Sequence, residues 1–513
     1  MLGLFMAHHP MIFSGFEQVQ RDLGDTRLVI LFLEHTYQWI TGHHAFADPG
    51  YFYPASMVTY YGDLMLGFAP PYWIARGLGL EPDSSYQSWL IVFSILNFAA
   101  AFALFRKGFK LTPFWAAWGS FLVSFSSNHV NQVGHPQMWP LVYPLVFYLS
   151  ILKLQDAANN HRGSFLWLLT AGTAFVMQFF SAYYWAWFLV FFCFLLLCIE
   201  CSSKSGRHRL RSLWTFNRRH LFVVVPVMLL VLAPALYGYL TIASQVGLRR
   251  FTDVASYLLS MEEWLYYGPD HWLHGWRAGL PEFQNLFGEI ELRVGLGEIT
   301  IVAGLTGLWL ARRDALMRRL IILTGILFFV LTIWHYGFKP WAAIYHAFPG
   351  ARAIRSVGRF SQFMMIPLAV GCAALWMKLK AGSKIRWLMG LAMAIMVLEQ
   401  GVTTPSYSKA MARDREQSLA SKIPASCRSF VHITIGPDTM SMEQVDLYQI
   451  DAMGAARILK IPTVNGYSGN QPPGYPLKVA VAFSESKHTA LIDETRRWLS
   501  SIGQNPDDVC IIP

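Results

Sequence analysis

Long apolar runs recur along this chain of 513 residues, and they constrain its fold more than any other feature. A helix that crosses a membrane needs about 20 predominantly apolar residues, because lipid offers the backbone no hydrogen-bond partners. Only 14% of the residues are charged, whereas ordinary soluble domains have about 25%. We therefore expect a mainly α, polytopic transmembrane helical bundle. The predicted spans are 89–105, 114–127, 139–152, 165–180, 184–200, 221–243, 296–311, 320–336, 360–378 and 386–402.

The opening segment, MLGLFMAHHPMIFSGF, is apolar but too short for a full span, and His8, His9 and Pro10 interrupt it. It lacks the basic start of a signal peptide. We interpret it as a truncated first helix, which brings the bundle to about eleven spans. A re-entrant segment is the alternative.

Basic residues orient the predicted spans. Five short loops hold 19 of the 41 Lys and Arg residues and recur at every second connection, at 106–113, 153–164, 200–220, 311–319 and 378–386. The positive-inside rule makes these loops cytoplasmic, so the long loops 17–88, 244–295 and 337–359 lie outside. The net charge of +10 then reflects orientation. No basic stripe interleaved with aromatic residues predicts a nucleic-acid partner.

The chain changes character after residue 403, where the leucine-rich runs stop. SFVHITI, IPTVNG and VCIIP are typical of strands, whereas QVDLYQIDAMGAARIL and HTALIDETRRWLSSIG are typical of helices. This order predicts a small extracytoplasmic α/β domain over 404–513, following a transmembrane domain over 1–403. We expect Cys427 and Cys510 of this domain to form a disulfide, since they flank its first and last strands in an oxidising compartment.

Charged residues cluster at the start of the first outward loop, in RDLGDTRLVILFLEH. A helix that starts at Asp25 would place Arg27 and Glu34 on one face, two turns apart. Two interpretations stay open. Asp25 is an N-cap and the other charges find local partners, or Asp22, Asp25, Arg27, Glu34 and His35 belong to a site.

Two further groups of outward-facing polar residues are candidates for the same site. The first is Asp63, which follows two tyrosines later in the first loop, and its alternative is a solvated turn. The second lies in SSNHVNQVGHPQ and comprises His129, His135 and Gln137. Ordinary interfacial histidines are the alternative there. No CxxC or HxxxH zinc spacing, P-loop or GxSxG motif occurs in the sequence.

The segment FPGARAIRSVGRF carries Arg352, Arg355 and Arg359 at spacings of three and four residues. Such spacing predicts one helix face, on the side of the membrane where positive charge is disfavoured. An anion such as a phosphate would explain the exception, because guanidinium groups bind phosphate oxygens bidentately. Internal pairing with Glu289 or Glu291 is the alternative.

The sequence resembles a known family at several of these places. LGDTRLVILFLEHTYQWI, YFYPA, VGHPQ, FPGARAIRSVGRF and IPTVNGYSGNQPPGYP look like segments of bacterial GT-C and YfhO-like proteins. The GT-C superfamily comprises membrane glycosyltransferases with an acidic residue soon after the first span and an outward C-terminal domain. The resemblance covers most of the chain.

The resemblance implies transfer of a sugar from a polyprenyl-phosphate donor to a glycan, lipid or protein acceptor. The reaction would take place on the outer face of the bacterial cytoplasmic (inner) membrane. The residue that matches the family position is Asp25, which would act as the catalytic base or help to bind a divalent cation, Mg²⁺ or Mn²⁺. This chain departs from the paired acidic motif, because Leu-Gly separates Asp22 from Asp25.

Two other functions remain as alternatives. A lipid or glycolipid flippase or transporter would have a similar number of helices, but such proteins carry charges within spans or paired broken helices. The spans predicted here are nearly free of charges. A non-catalytic membrane scaffold, with the C-terminal domain as its recognition surface, is the other alternative.

Overall fold

The computed structural model describes residues 1–286, 288–379 and 383–513, and it is mainly helical. Its α-helices are α1 (Leu2–Phe13), α2 (Asp25–Ile40), α3 (Pro70–Gly77), α4 (Pro82–Ala103), α5 (Pro113–Ser124), α6 (Ser127–Asn131), α7 (Val142–Asn159), α8 (Phe165–Phe179), α9 (Tyr183–Cys201), α10 (Lys204–Val246), α11 (Phe251–Ala255), α12 (Glu298–Leu310), α13 (Ala315–Leu331), α14 (Trp341–Ala347), α15 (Met365–Lys378), α16 (Ser383–Leu398), α17 (Lys409–Lys422), α18 (Met442–Leu459) and α19 (Glu485–Ser501). Its strands are β1 (Gln18–Gln20), β2 (Ser406–Ser408), β3 (Phe430–His432), β4 (Thr434–Ile435), β5 (Val481–Ala482) and β6 (Cys510–Ile512).

Each predicted span overlaps an α-helix, so the chain is a multi-pass helical membrane protein. Within the described residues, five helical segments are long and apolar enough to cross a membrane: Pro82–Gly108, Pro136–Asn159, Tyr183–Cys201, Lys204–Val246 and Val357–Lys378. Other predicted spans form shorter helices, such as α5 with 12 residues and α12 with 13. The total of about eleven spans therefore stays a prediction. The basic loop predicted at 378–386 lies partly outside the described residues.

Glycines let α12 and α15 pack in direct backbone contact. A Cβ atom added to Gly307 would lie 1.8 Å from the Gly371 carbonyl oxygen, and one added to Gly371 would lie 2.0 Å from that of Gly304. Small residues permit this close approach between membrane helices. The two helices run parallel, because Gly304 contacts Leu368 and Gly307 contacts Leu375. The segments that precede them, which carry the charged residues of the site, are therefore held at one end of the bundle.

A short antiparallel ladder joins the start of the first loop to the segment after residue 403. β1 pairs with β2, with Gln18 opposite Ser408 and Gln20 opposite Ser406. Helix α2, which follows β1, packs against α18 of the C-terminal part. This packing sets the N-terminus of α2 beside residues that are more than 400 positions away in sequence.

The C-terminal part contains helices and short parallel strand pairs. β3 pairs with β6 and β4 pairs with β5, so the SFVHITI segment divides between two pairs. Helix α18 begins with a capping box formed by Ser441 and Gln444. The strand predicted at IPTVNG does not form, since Thr463 makes only an isolated bridge to Phe430. Cys427 and Cys510 form a disulfide with a Cα–Cα distance of 5.9 Å.

Candidate functional site

Helix α2 starts at Asp25, but a different carboxylate caps it. The N-cap residue is Gly24, and Oδ1 of Asp22 accepts hydrogen bonds from the backbone N–H groups of Gly24, at 2.8 Å, and Asp25, at 2.7 Å. The interpretation of Asp25 as the N-cap is therefore wrong. The turn that precedes the helix takes its cap from the side chain of Asp22, which leaves the Asp25 carboxylate available for other contacts.

Asp25 begins a row of ionisable groups that we call the Asp25–Arg359 row. Nδ1 of His135 lies 3.0 Å from Oδ2 of Asp25, and Nε2 of His135 lies 2.9 Å from Oε1 of Glu291. Glu291 in turn accepts a hydrogen bond of 2.7 Å from Nε of Arg359 and a second one from its Nη2. The row thus joins the first loop, the loop before α7 and the segments before α12 and α15.

The row favours a charged imidazole at His135. Burial and the nearby Arg359 lower the pKa of His135, but Glu291 and the hydrogen bond to Asp25 outweigh them, so the pKa is raised. Burial raises the pKa of Glu291, yet Arg359 and His135 reverse this effect and hold it well below its usual range. An ionised carboxylate accepts hydrogen bonds and cannot donate them. Both ring nitrogens of His135 therefore donate, which fixes the imidazolium between Asp25 and Glu291.

Two further acidic groups and a tyrosine surround Asp25. Burial is the main cause that raises the pKa of Asp22, and the charge of Asp25 adds to it. The same two causes raise the pKa of Asp446 on α18 to about 6. Burial and then Asp25 and Asp446 also raise the pKa of Tyr467. The side chain of Asp25 keeps 32% of its exposure, so an incoming polar group can reach it.

The three arginines predicted to share a helix face do not do so. Arg352 lies in the turn Ala351–Ala353, whereas Arg359 lies in the separate turn Val357–Met364. Extended backbone at Ile354 separates the two turns. The prediction of one helical face is therefore wrong.

The same arginines differ in their partners. Arg359 makes the internal pair with Glu291 that was the alternative for this segment. Arg352 stacks over the ring of Tyr345 at 5.5 Å, and Arg355 stacks over that of Tyr257 at 5.1 Å. Within the described residues, neither Arg352 nor Arg355 has a carboxylate within 4.0 Å. Nε of Arg355 is buried and has no hydrogen-bond partner there.

Arg27 has a different environment from its neighbour Asp25. It is buried and donates to Glu416 on α17, at 2.8 Å, and to Asp451 on α18, at 2.7 Å. We call these three residues the Arg27 clamp. A buried charge is tolerated where such partners surround it, so the clamp holds α2 against the C-terminal part.

The other residues of the first loop also have partners. Glu34 pairs with Arg76 at 2.8 Å and accepts a hydrogen bond of 2.7 Å from the Tyr72 hydroxyl. Nε2 of His35 lies 2.9 Å from the Phe46 carbonyl oxygen. These contacts place Glu34 and His35 outside the Asp25–Arg359 row, although they share helix α2 with Asp25.

The two histidines predicted together have separate environments. Nδ1 of His129 lies 3.0 Å from Oε1 of Gln362, and its ring stacks on Trp139 at 4.5 Å. Among the described residues, the side chain of Gln137 makes no hydrogen bond. The structure therefore brings His135 to Asp25 and keeps His129 within the helix packing.

Asp63 accepts a hydrogen bond of 2.8 Å from the backbone N–H of Tyr183, and burial raises its pKa to about 6. A raised carboxyl pKa disfavours the folded state as the pH rises from about 4 to about 6. Asp63→Asn keeps an acceptor for the Tyr183 N–H and removes this ionisation. We expect the variant to match the parent in stability near pH 4 and to exceed it at pH 7.5 by about 1 to 2 kcal/mol. This gain is smaller than the full pKa shift would give, because the side chain is partly exposed. Thermal unfolding at the two pH values tests this, and an equal difference at both would contradict it.

The side chains around Asp25 offer few ligands for the predicted divalent cation. Within the parts of the chain that the structure describes, no group of three or more His, Cys, Asp or Glu residues is arranged to hold a metal ion. One oxygen of Asp25 already faces His135, and one oxygen of Asp22 faces the start of α2. A divalent cation at this site stays a prediction.

Sequence reasoning missed several residues around Asp25. Glu291 was considered only as a partner for an arginine, whereas it also contacts His135. Asp446 and Tyr467 were not singled out at all. The motif IPTVNGYSGNQPPGYP, which contains Tyr467, is a usable signal, because its glycines and prolines indicate a structured loop.

Comparison with known proteins defines the fold. No protein-family model matches the chain, and no curated protein matches it. The structure of the arabinofuranosyltransferase AftD from mycobacteria is similar with a TM-score of 0.50 and 12% sequence identity, over 85% of this chain and 29% of that chain. The archaeal oligosaccharyltransferase AglB from Archaeoglobus fulgidus is similar with a TM-score of 0.46 and 11% identity, over 96% of this chain and 68% of that chain.

The likeness to the mycobacterial protein is one of fold. The chain spans 29% of the length of that protein, and the similarity lies in the arrangement of the helices. The predicted GT-C fold is therefore confirmed.

Proposed function

We propose that this protein transfers a sugar from a lipid-linked donor to an acceptor hydroxyl, with Asp25 as the catalytic base. The observation that carries the proposal is the contact between Asp25 and His135. This contact orients the Asp25 carboxylate, which is partly exposed and does not cap the helix. A general base needs such access to the proton that it removes. The fold is compatible with this activity, since glycosyl transfer occurs on it.

In the proposed reaction, an acceptor hydroxyl oxygen attacks the anomeric carbon of the donor sugar. The hydroxyl proton passes to the Asp25 carboxylate as the new glycosidic bond forms. The bond between the anomeric carbon and the donor phosphate oxygen breaks, and that oxygen keeps the electron pair. Negative charge therefore develops on the leaving phosphate, where fixed positive groups stabilise the transition state.

Arg355 and Arg352 are the proposed partners of this phosphate. Neither has a carboxylate partner among the described residues, and tyrosine rings hold both guanidinium groups. Arg359 has a different role, because its guanidinium group is paired with Glu291. It acts as a positioning residue that supports Glu291, while His135 positions Asp25.

We further propose that the donor is a polyprenyl-phosphate sugar and that the reaction takes place on the outer face of a bacterial cytoplasmic membrane. The alternation of basic loops supports this orientation. The acceptor is a glycan, a lipid or a protein, and the membrane lipid itself is a partner. Reporter fusions after residue 206 are expected to be cytoplasmic, and fusions after residue 430 to be outside. A cytoplasmic C-terminal part would contradict the proposed location of the site.

The direct test uses the full-length protein in lipid vesicles with a polyprenyl-phosphate sugar whose sugar is radiolabelled. We expect labelled glycosidic product and free polyprenyl phosphate in equal amounts when acceptor glycans are added. Movement of the labelled lipid between leaflets without a new glycosidic bond would instead establish a flippase. Binding of the donor with neither product nor movement would establish a non-catalytic role.

Arg355→Lys tests the assignment of the phosphate partner. Lysine retains the positive charge but loses the planar group that can bind two oxygens at once. We expect donor affinity to fall by about tenfold, which corresponds to one charge-assisted hydrogen bond. The matched control is Arg312→Lys, which lies in a predicted cytoplasmic loop and stacks on Trp309. Equal donor affinity in the Arg355→Lys variant and the parent would refute the phosphate contact.

A further inference from the structure

A cavity lies beside α2, and Asp25 does not line it. It has a volume of about 400 Å³, is open on one side, and is lined mainly by α2, residues 48–56 and the C-terminal end of α18. No residue of the Asp25–Arg359 row lines it. Leu31, the lining residue of α2 that is nearest to Asp25 in sequence, is six positions after it, or about 9 Å along the axis of the helix. Its volume falls within the range of about 300–1,000 Å³ that small-molecule sites occupy.

Aromatic side chains form part of the cavity wall. Tyr51, Tyr53 and His44 line it, and the Tyr51 ring is held in place by stacking on Phe32 at 6.2 Å. The Tyr53 hydroxyl is tied to Gln504 at 3.2 Å. Aromatic walls of this kind offer flat apolar surface at fixed positions, which suits a ligand with a flat C–H face.

Most of the charges in the wall are already neutralised. Arg76 and Tyr72 donate hydrogen bonds to Glu34, and Arg457 forms an ion pair of 3.0 Å with Glu416. Burial, and then His43, lowers the pKa of His44, so that its imidazole is neutral at pH 7. The cavity therefore presents little net charge to a ligand.

The polar groups that remain can both donate and accept hydrogen bonds. Among the described residues, the Gln38 amide, the Tyr51 hydroxyl and the Lys460 ammonium group have no side-chain hydrogen bond. Asp48 uses one carboxylate oxygen for the Met57 N–H, at 2.9 Å, and has the other free. A ligand rich in hydroxyl groups matches this mixture, because each hydroxyl donates one hydrogen bond and accepts others.

Other classes of ligand fit the cavity less well. A phosphate would find one unpaired cation, Lys460, together with the carboxylate of Asp48, which repels it. A lipid chain would leave the amide, hydroxyl and imidazole groups without partners, and each such loss is costly. Both arguments favour a neutral polar ligand with a flat apolar face.

We infer that this cavity binds a neutral saccharide of one or two sugar units, at a site separate from Asp25. The inference does not rest on the proposed transfer reaction, since no residue of the Asp25–Arg359 row lines the cavity. The saccharide has two possible sources, a free sugar or the sugar part of a glycolipid. Both present the same hydroxylated ring to the cavity.

Binding is measured on the full-length protein in detergent, by saturation-transfer NMR followed by titration. The probes are disaccharides of glucose, galactose, mannose and arabinose, each tested free and with a dodecyl chain on its reducing end. The double variant Tyr51→Phe and Lys460→Asn removes a hydroxyl and an ammonium group. Asn suits position 460, where φ is +57°, so the end of α18 keeps its conformation. We expect at least one disaccharide to bind and its Kd to rise tenfold or more in this variant.

The matched control makes the same two chemical changes elsewhere, as Tyr336→Phe and Lys478→Asn, and its Kd should equal that of the parent. Asp25→Asn should also bind the disaccharide as the parent does, which separates this cavity from the proposed reaction. Tighter binding of only the dodecyl forms would identify a glycolipid as the source, and equal binding would identify a free sugar. Absence of binding by every probe, or equal loss in the control variant, would overturn the inference.

Discussion

Asp25→Asn is expected to reduce sugar transfer by about 10²-fold to 10⁴-fold, which is the range for losing general base catalysis. The Asn side chain still accepts a hydrogen bond from His135, but it cannot take the proton of the acceptor hydroxyl. The variant should lose at most about 1 kcal/mol of stability, because Asp22 still caps α2 and the pair that Asp25 forms with His135 is partly exposed. The measurement is the rate of transfer at matched concentrations of folded protein.

Asp22→Ala is the matched control for this prediction. It removes the acceptor for two backbone N–H groups at the start of α2, and we expect it to cost about 1 kcal/mol of stability. Its turnover should fall much less than that of Asp25→Asn, because the base remains. If Asp25→Asn kept near-normal turnover, Asp25 would not be the base, and Asp446 would be the next carboxylate to test.

Glu291→Gln is expected to destabilise the protein by about 3 to 5 kcal/mol, the usual cost of removing one partner from a buried ion pair. The side chains of Glu291 and Arg359 are only 6% and 4% exposed, so solvent cannot replace the lost charge. His135 loses one of its two carboxylate partners in the same step. Chemical unfolding in detergent micelles gives the difference in free energy between variant and parent.

Two comparisons make this result specific. Asp156→Asn breaks the exposed pair with Lys110 and should cost at most about 1 kcal/mol. Glu291→Gln combined with Arg359→Met removes both charges and should recover part of the loss. A loss in Glu291→Gln no larger than in Asp156→Asn would show that the buried pair adds little.

The same variant should change how stability depends on pH. In the parent, the stability that comes from charging His135 is complete below its unfolded pKa of about 6.5. It is lost as the pH rises through the raised pKa of the folded state. Without Glu291 the pKa of His135 in the folded state is lower, so this loss should be smaller and should end at a lower pH. Unfolding curves between pH 6 and pH 9 compare the two proteins.

The helices could be predicted from the sequence because the length of an apolar run depends on local composition. The start of α2 at Asp25 was also accessible, since a polar turn precedes an apolar run. The capping role of Asp22 could not be predicted. In sequence, an acidic residue that caps the helix from three positions before its start looks the same as one that is merely nearby. The structure was needed to show which of the two oxygens the backbone uses.

The contacts of the site could not be predicted, for a different reason. Asp25, His135, Glu291 and Arg359 come from four segments, and their proximity depends on how the helices between them pack. The arginine segment failed as a helix because Gly350, at φ +77°, and extended Ile354 end the local turns. The spacing of these arginines in the sequence does not determine which partners they contact.

The Arg27 clamp also determines the point during synthesis at which the region around Asp25 can fold. Glu416 follows Arg27 by 389 residues, and a ribosome adds about 5 to 20 residues per second, so Arg27 precedes its partner by about 20 to 80 seconds. During that interval its charge must be solvated by water or lipid headgroups. The surroundings of Asp25, the proposed catalytic base two residues earlier, are therefore expected to stay unformed until the last fifth of the chain has emerged. A ribosome stalled before residue 416 would leave a membrane-inserted chain that is inactive.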